Sequence, residues 1–237
     1  MCILLALGRD PELGSVWIAA NRDEHLDRPW QPPQLLAESP RVLGGRDLVG
    51  GGTWLAVNLD AGFVVGVTNA RLGAAPRERS RGRLVLDLAA ARSLPEAVAF
   101  LRNVEWPAYG EFNLLLCDTG ATWLATNHPA PTVREVERPV AALGNDALDA
   151  PGPRVQAAAE RARSMTGLGG DALTEALRSL LADHGGADPL CRHGERYGTV
   201  CSTVLALNGR DVTSYVFAPG RPCVTPFETV AVPIGDR

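Results

Sequence analysis

Cys2 and the run Asn21-Arg22-Asp23-Glu24 are where residue type and placement in this 237-residue chain point to chemistry. An initiator methionine is normally removed when the second side chain is small, and cysteine qualifies. Removal would place a thiol and a free α-amine on one residue. The amine has a reference pKa of about 7.7–8.0 and the thiol one of about 8.5. One group can therefore serve the other as base without a borrowed histidine, the logic of an N-terminal nucleophile. A neighbouring ammonium also favours the thiolate. A small apolar residue opening an edge strand would look the same at position 2, so the reading depends on what stands beside it.

Two short apolar runs, CILLAL at 2–7 and VWIAA at 16–20, flank the turn-rich GRDPELGS and predict an N-terminal hairpin. Asn21-Arg22-Asp23-Glu24 follows the second run, where that strand is expected to leave the sheet. In an antiparallel pair this end lies beside the start of the first strand, so Asp23 can approach the α-amine of Cys2. A carboxylate there would orient the amine, as the third member of a nucleophile–base–orienter set does.

Composition narrows the chemistry further. All 23 basic residues are arginine, against 27 acidic ones, for a net charge of −4. Without lysine there is no Schiff-base amine and no P-loop lysine. If Met1 is removed, the sole primary amine is the proposed base. The mildly acidic balance argues against nucleic acid as a partner. No apolar run approaches the roughly 18 residues of a membrane span, and the start lacks the basic n-region of a secretory signal. Five scattered cysteines, at 2, 117, 191, 201 and 223, fit a reducing compartment. The expectation is a cytoplasmic protein.

The elements that must position these groups alternate in blocks. A proline-rich stretch from Arg28 to Pro40 reads as irregular surface. Gly44-Gly45 and Gly50-Gly51-Gly52 read as a pair of turns bordering a pocket; without lysine or a following helix they are no phosphate cradle. TWLAVN and FVVGVT form a second hairpin around Leu59-Asp60-Ala61-Gly62, with Trp54 on a solvated or ligand-facing side. Helical period governs Ser80 to Val104, where Ser93-Leu94-Pro95-Glu96 has the pattern of a capping box. Strands return in EFNLLLCD, TWLAT, TVREVE and PVAAL. Helices follow at 154–166 and 171–184, then strands TVCSTVLAL and DVTSYVFA around Asn208-Gly209-Arg210. Segregated blocks of this kind predict α+β layers rather than βαβ units.

Several segments share one further pattern: Met1-Cys2, ANRDE at 20–24 with Arg28-Pro29 after it, GGRDLVGGGTWLAVN at 44–58, VTNAR at 67–71, SRG at 80–82, FNLLL at 112–116, LGNDALDAPGPRV at 143–155 and YGTVCSTVLAL at 197–207. In that order and spacing they resemble the NRDE family, which includes the transport and Golgi organisation proteins. The family is similar to N-terminal nucleophile hydrolases of the choloylglycine hydrolase and penicillin acylase group. The resemblance implies a four-layer αββα sandwich, one domain over residues 1–237. It implies Cys2 as nucleophile, Asp23 as the carboxylate holding the amine, and Asn69 and Asn145 as oxyanion donors. Asn21, Arg22, Glu24 and Trp54 are candidate substrate contacts.

Two departures concern the substrate. The amidases carry an arginine two residues before the corresponding asparagine, whereas Arg22 follows Asn21 directly, so that arginine's role is not carried over. After the threonine of YGT the family usually has arginine, and here Val200 stands. No cofactor and no metal are expected: Cys191-Arg192-His193 with Cys201 fits no standard zinc spacing. Cys117 and Cys201 lie in apolar strands and read as core; His128 has no partner pattern, His25 is a candidate for the pocket wall and His184 reads as the polar end of its helix. The leading expectation is a hydrolase cleaving a small non-peptide amide through an acyl-enzyme on Cys2. The alternative is a ligand-binding or trafficking protein on the same fold that holds a hydrophobic, haem or lipid-like ligand without turnover.

Overall fold

The computed structural model describes residues 2–8, 15–70, 77–137, 139–186 and 188–233. Met1, most of the turn predicted between the first two strands, and Arg71 of the VTNAR segment lie outside the described residues. The strands are β1 (Ile3–Gly8), β2 (Ser15–His25), β3 (Trp30–Glu38), β4 (Arg41–Asp47), β5 (Leu55–Asn58), β6 (Phe63–Asn69), β7 (Phe112–Cys117), β8 (Thr122–Thr126), β9 (Thr132–Glu135), β10 (Val140–Leu143), β11 (Tyr197–Asn208), β12 (Asp211–Ala218) and β13 (Glu228–Thr229). The helices are α1 (Arg81–Ala89), α2 (Leu94–Arg102), α3 (Pro153–Arg163) and α4 (Gly170–Leu181). None of them is long and apolar enough to cross a membrane.

The strands form two antiparallel sheets, one in the order β10-β1-β2-β11-β12-β13 and the other running β3 through β9 in sequence order. The first β-run shows why they stack. Ile3, Leu5 and Leu7 pack with Leu173, Leu177 and Leu180 of α4 and Ala158 of α3. Leu4 and Ala6, pointing the other way, meet Leu55, Val57 and Val64 of the second sheet. A strand buried on both faces needs an unbroken apolar run, and CILLAL supplies one. On the far side α1 and α2 place Leu84, Leu88 and Leu101 against Phe63, Phe112 and Leu114. The result is helices, sheet, sheet, helices: the αββα sandwich.

Local signals read from the sequence hold at α2. Ser93 Oγ accepts from Glu96 N at 3.3 Å. The reciprocal arm is displaced by one residue, because Glu96 Oε2 accepts from Arg92 N at 3.0 Å rather than from Ser93. The two turn glycines of the hairpins, Gly62 (φ 71°) and Gly209 (φ 57°), occupy the left-handed region.

Three expectations are corrected. Residues 28–40 are not simply irregular: Trp30–Glu38 is an edge strand, and its prolines fall where the β3–β4 register shifts between Gln31 and Gln34. Gly44-Gly45 is no turn but lies inside β4. A Cβ at Gly44 would stand 2.4 Å from the carbonyl oxygen of Leu55, and one at Gly45 would stand 2.3 Å from the Trp54 ring, so close approach rather than turning requires glycine. Asn21-Arg22-Asp23-Glu24 does not leave the sheet either. β2 continues through His25 because Tyr197–Cys201 of β11 pairs with it.

Candidate active site

Strand alternation sorts the tetrapeptide onto two faces. Ala19 faces the helices and Ala20 the second sheet. Asn21 and Asp23 therefore point toward the helices, and Arg22 and Glu24 toward the second sheet. The β1–β2 register pairs Ile3 with Asn21, so Cys2 stands level with Arg22 and shares its side. The β1–β10 register pairs Leu4 with Leu143; two residues further it brings Cys2 level with Asn145.

Cys2 and Arg22 open into a cleft of about 690 Å³, also lined by Glu24, His25, Trp54, Asn69 and Arg81. The thiol donates to the carbonyl oxygen of Asp23 at 3.6 Å, and the Tyr197 hydroxyl donates to the same oxygen at 2.8 Å. Burial pushes the Cys2 thiol pKa up and the negative charge of Asp23 adds to it, outweighing the hydrogen bond to the Asp23 carbonyl and the positive charge of Arg22, which act the other way. The resting Cys2 side chain is thus a protonated thiol. A raised pKa also means that the proton is held to higher pH. Alkylation of Cys2 by iodoacetamide is expected to be slower at neutral pH than that of an unstructured cysteine, climbing only above the usual thiol range. Peptide mass mapping separates Cys2 from the other cysteines; a plateau already at about pH 8, near the free-thiol value, would contradict this.

Behind the thiol, Asp23 is fixed on the helix side with no side-chain exposure. Its Oδ1 accepts from Thr199 Oγ1 at 2.7 Å, and its Oδ2 from Arg154 at 3.2 Å, while Arg192 lies 3.8 Å away. Arg154 stands in the first turn of α3, where the helix dipole disfavours a cation; its burial there makes sense through Asp23 and the Leu190 carbonyl, to which it donates at 2.8 Å. Asn21 is spent on structure: its amide donates to the carbonyls of Leu181 and Leu190 and its Oδ1 accepts from Ser202, so the side chain does not line the cleft.

Asn69 and Asn145 are brought together from different sheets. Asn145 Nδ2 donates to the Asn69 carbonyl, and its Oδ1 has no hydrogen-bond partner although buried. The two strand ends are bolted by Thr68 Oγ1 and Asn113 Nδ2, which both donate to the Gly144 carbonyl. Asn69 lines the cleft itself.

Arg22 is buried, and its two terminal nitrogens make no hydrogen bond. It stacks 4.5 Å from the centroid of the Trp54 ring and lies 3.5 Å from Asp47 and 3.7 Å from Glu24. Asp47 also holds Arg28 at 2.9 Å. Burial alone would raise the Asp47 pKa, but N–H bonds from Gly50 and Val49 and the Arg28 guanidinium hold it below the usual carboxylate value. Under Trp54 sits an apolar cluster of Val200, Cys201 and Phe217 with Trp30 packed on it. Val200 belongs to this cluster, which gives its side chain an apolar setting.

Sequence reasoning assigned no role to Arg154, Thr199, Tyr197 or Arg81. All four lie within the segments LGNDALDAPGPRV, YGT and SRG, so their place in those segments was the available signal. Arg81 donates to the Glu111 carbonyl at 3.0 Å and lines the cleft, with burial depressing its pKa.

A family model described as Transport and Golgi organisation 2 matches residues 1–216. No curated protein matches the sequence. Among solved structures the chain is similar to a Caenorhabditis elegans ortholog of N-acylethanolamine-hydrolyzing acid amidase, at 14% identity and a TM-score of 0.55, covering 86% of this chain and 92% of that one. A weaker likeness, 13% identical with a TM-score of 0.39, is to HslV from Trypanosoma brucei, covering 74% and 88% of the two chains.

Proposed function

Because the chain belongs to the transport and Golgi organisation 2 family and has the fold of N-terminal nucleophile hydrolases, we propose that it is a cysteine hydrolase that cleaves a small non-peptide amide through an acyl-enzyme on Cys2. The carrying observation is that the Cys2 thiol opens into a cleft while its own strand neighbours place Asp23 behind it and Asn145 level with it. Amide cleavage is a chemistry this sandwich accommodates, as the nematode amidase illustrates.

Removal of Met1 frees the α-amine. The amine takes the thiol proton, the sulfur attacks the carbonyl carbon, and a C–S bond forms. Asn145 Nδ2 carries two N–H groups, one spent on Asn69; the other serves the oxyanion, a donor worth roughly 3–4 kcal/mol of barrier. Collapse breaks the C–N bond, and the ammonium returns its proton to the departing amine. Water, deprotonated by the same amine, then releases the acid and regenerates the thiol.

The cleft wall favours a particular acyl group. It carries Arg22, Arg28, Arg77, Arg79 and Arg81 against Asp23, Glu24, Asp47 and Glu78, and the terminal Arg22 nitrogens make no hydrogen bond. An acyl chain ending in a carboxylate would satisfy them, and a charge-assisted hydrogen bond of about 1.5–3 kcal/mol makes such a substrate roughly 10- to 100-fold preferred over a plain hydrocarbon of equal length. The test is intact and peptide mass spectrometry during turnover of both amides. Acyl mass on the Cys2 peptide of protein lacking Met1, with an amine-selective reagent labelling only that residue, is the expected result. Turnover by protein that keeps Met1 would overturn the amine-base mechanism, and a preference for the hydrocarbon would overturn the anionic substrate alone.

A further inference from the structure

Away from the cleft, three chain segments bring sulfur and imidazole together. His184 follows the end of α4, Cys191 and His193 lie in the loop before β11, and Cys223 lies in the loop after β12. The sulfurs of Cys191 and Cys223 are 3.5 Å apart. His193 Nε2 is 3.7 Å from the first and 3.0 Å from the second. The ligand atoms of His184, His193 and Cys223 all lie within 4.8 Å of one another.

We propose that Cys191, Cys223, His193 and His184 form a binding site for a divalent cation of the zinc class. A tetrahedral zinc centre has metal–sulfur bonds of about 2.3 Å and metal–nitrogen bonds of about 2.0–2.1 Å. Those bond lengths separate two sulfurs by about 3.8 Å and a sulfur from a nitrogen by about 3.5 Å. The three measured edges fall within about half an ångström of these values. Two soft thiolates and two imidazoles are the donor set of closed structural zinc sites. His184 Nδ1 lies 3.2 Å from the Ala182 carbonyl, which as a donor there leaves Nε2 for the metal, the orienting contact typical of metal-bound histidine. Loading releases the two thiol protons to solvent, and the two thiolate charges cancel the dication. The nearby Arg221, which donates to the Gly194 carbonyl at 3.2 Å, is compatible with that neutral centre. The two histidines are exposed and Cys191 is buried, so the site opens on the surface for entry.

The spacing explains why the sequence concealed it. Cys191 and His193 are two positions apart, but their partners come from the end of a helix and from a loop on the far side of a β-hairpin. The sequence-level partner, Cys201, is instead in the apolar cluster under Trp54. The position also suggests a purpose. The loop it ties carries the Leu190 carbonyl, which accepts from Arg154 and Asn21, and Arg192, whose N–H donates to Thr199 Oγ1. The metal would brace the loop that holds Asp23.

The full chain, reduced and stripped with a chelator, is titrated anaerobically with cobalt(II) and then zinc(II). One equivalent of cobalt is expected to give the intense ligand-field bands of a tetrahedral centre and a thiolate charge-transfer band, zinc to displace it, and the metal to raise Tm further with the logarithm of its free concentration. Cys223→Ser and His193→Gln, at positions that are not fully buried, should weaken zinc by more than about 100-fold, beyond the cost of losing an outer-shell partner alone. Cys2→Ala should bind as the wild type does. Weak octahedral cobalt bands, a signature surviving Cys223→Ser, or a Cys191–Cys223 disulfide forming equally fast with and without zinc would each overturn the site.

Discussion

Cys2→Ala is expected to lower kcat on a responsive amide by on the order of 10⁴–10⁶-fold, the scale of removing a covalent nucleophile from a unit that otherwise stays assembled. KM should change little, because the contacts lining the cleft come from Arg22, Trp54 and Arg81, and the substitution leaves them in place. The change is also mild for the fold: position 2 is half-buried and its one hydrogen bond, to the Asp23 carbonyl, is a weak 3.6 Å contact. Steady-state kinetics on both proteins provide the measurement, with matched melting curves to exclude unfolding. Equal rates for wild type and Cys2→Ala would sink the hydrolase reading. If the alanine variant also kept full affinity for a hydrophobic ligand, a carrier on the same sandwich would be the better account.

The second large effect is on stability. Asp23 and Arg154 are an almost fully enclosed ion pair, with side-chain exposures of 0% and 4%. Removing one partner of such a pair typically costs about 3–5 kcal/mol, because the other charge is left buried and uncompensated. Asp23→Asn takes the carboxylate away from the Arg154 guanidinium and leaves an amide in its place, with the Leu190 carbonyl still accepting from it. Arg154→Met leaves the carboxylate with Thr199 and the more distant Arg192. Each is expected to lower the denaturant midpoint strongly, at unchanged slope. The pair Asp23→Leu with Arg154→Met removes both charges together and should cost clearly less than the two single losses added. Additive costs would mean that the two groups are not coupled.

These two predictions rest on features of different legibility. Cys2 and Asp23 stand out as candidates from residue type and order, because a thiol at position 2 and an acid after the next apolar run are local facts. The hairpin joining them was legible too, since a strand covered on both faces must be apolar throughout. The Arg154–Asp23 pair was not. It links residues 131 positions apart, and no local pattern marks a helix-turn arginine as the counterion of a carboxylate on another strand. Asn21 shows the converse. Its type suggested a substrate contact, yet the pleat turns it toward α4 and the loop after it, where its amide is fully used. The glycines of β4 were misread for a related reason: their need is the closeness of Leu55 and Trp54, which is a contact and not a dihedral preference.

By itself, the sequence determined the order of strand and helix blocks, the absence of any lysine chemistry, the nucleophile candidate and the two strand ends bearing asparagine. Each follows from periodicity, composition or adjacency along the chain, which are properties that a one-dimensional string carries. Only the tertiary structure decided which face of β2 each residue of the tetrapeptide takes, what surrounds Asp23, and that Cys223 meets His184, His193 and Cys191. Those outcomes depend on strand parity and on pairing between distant segments. A register shift of one residue would reverse every face, so only the paired sheets fix them.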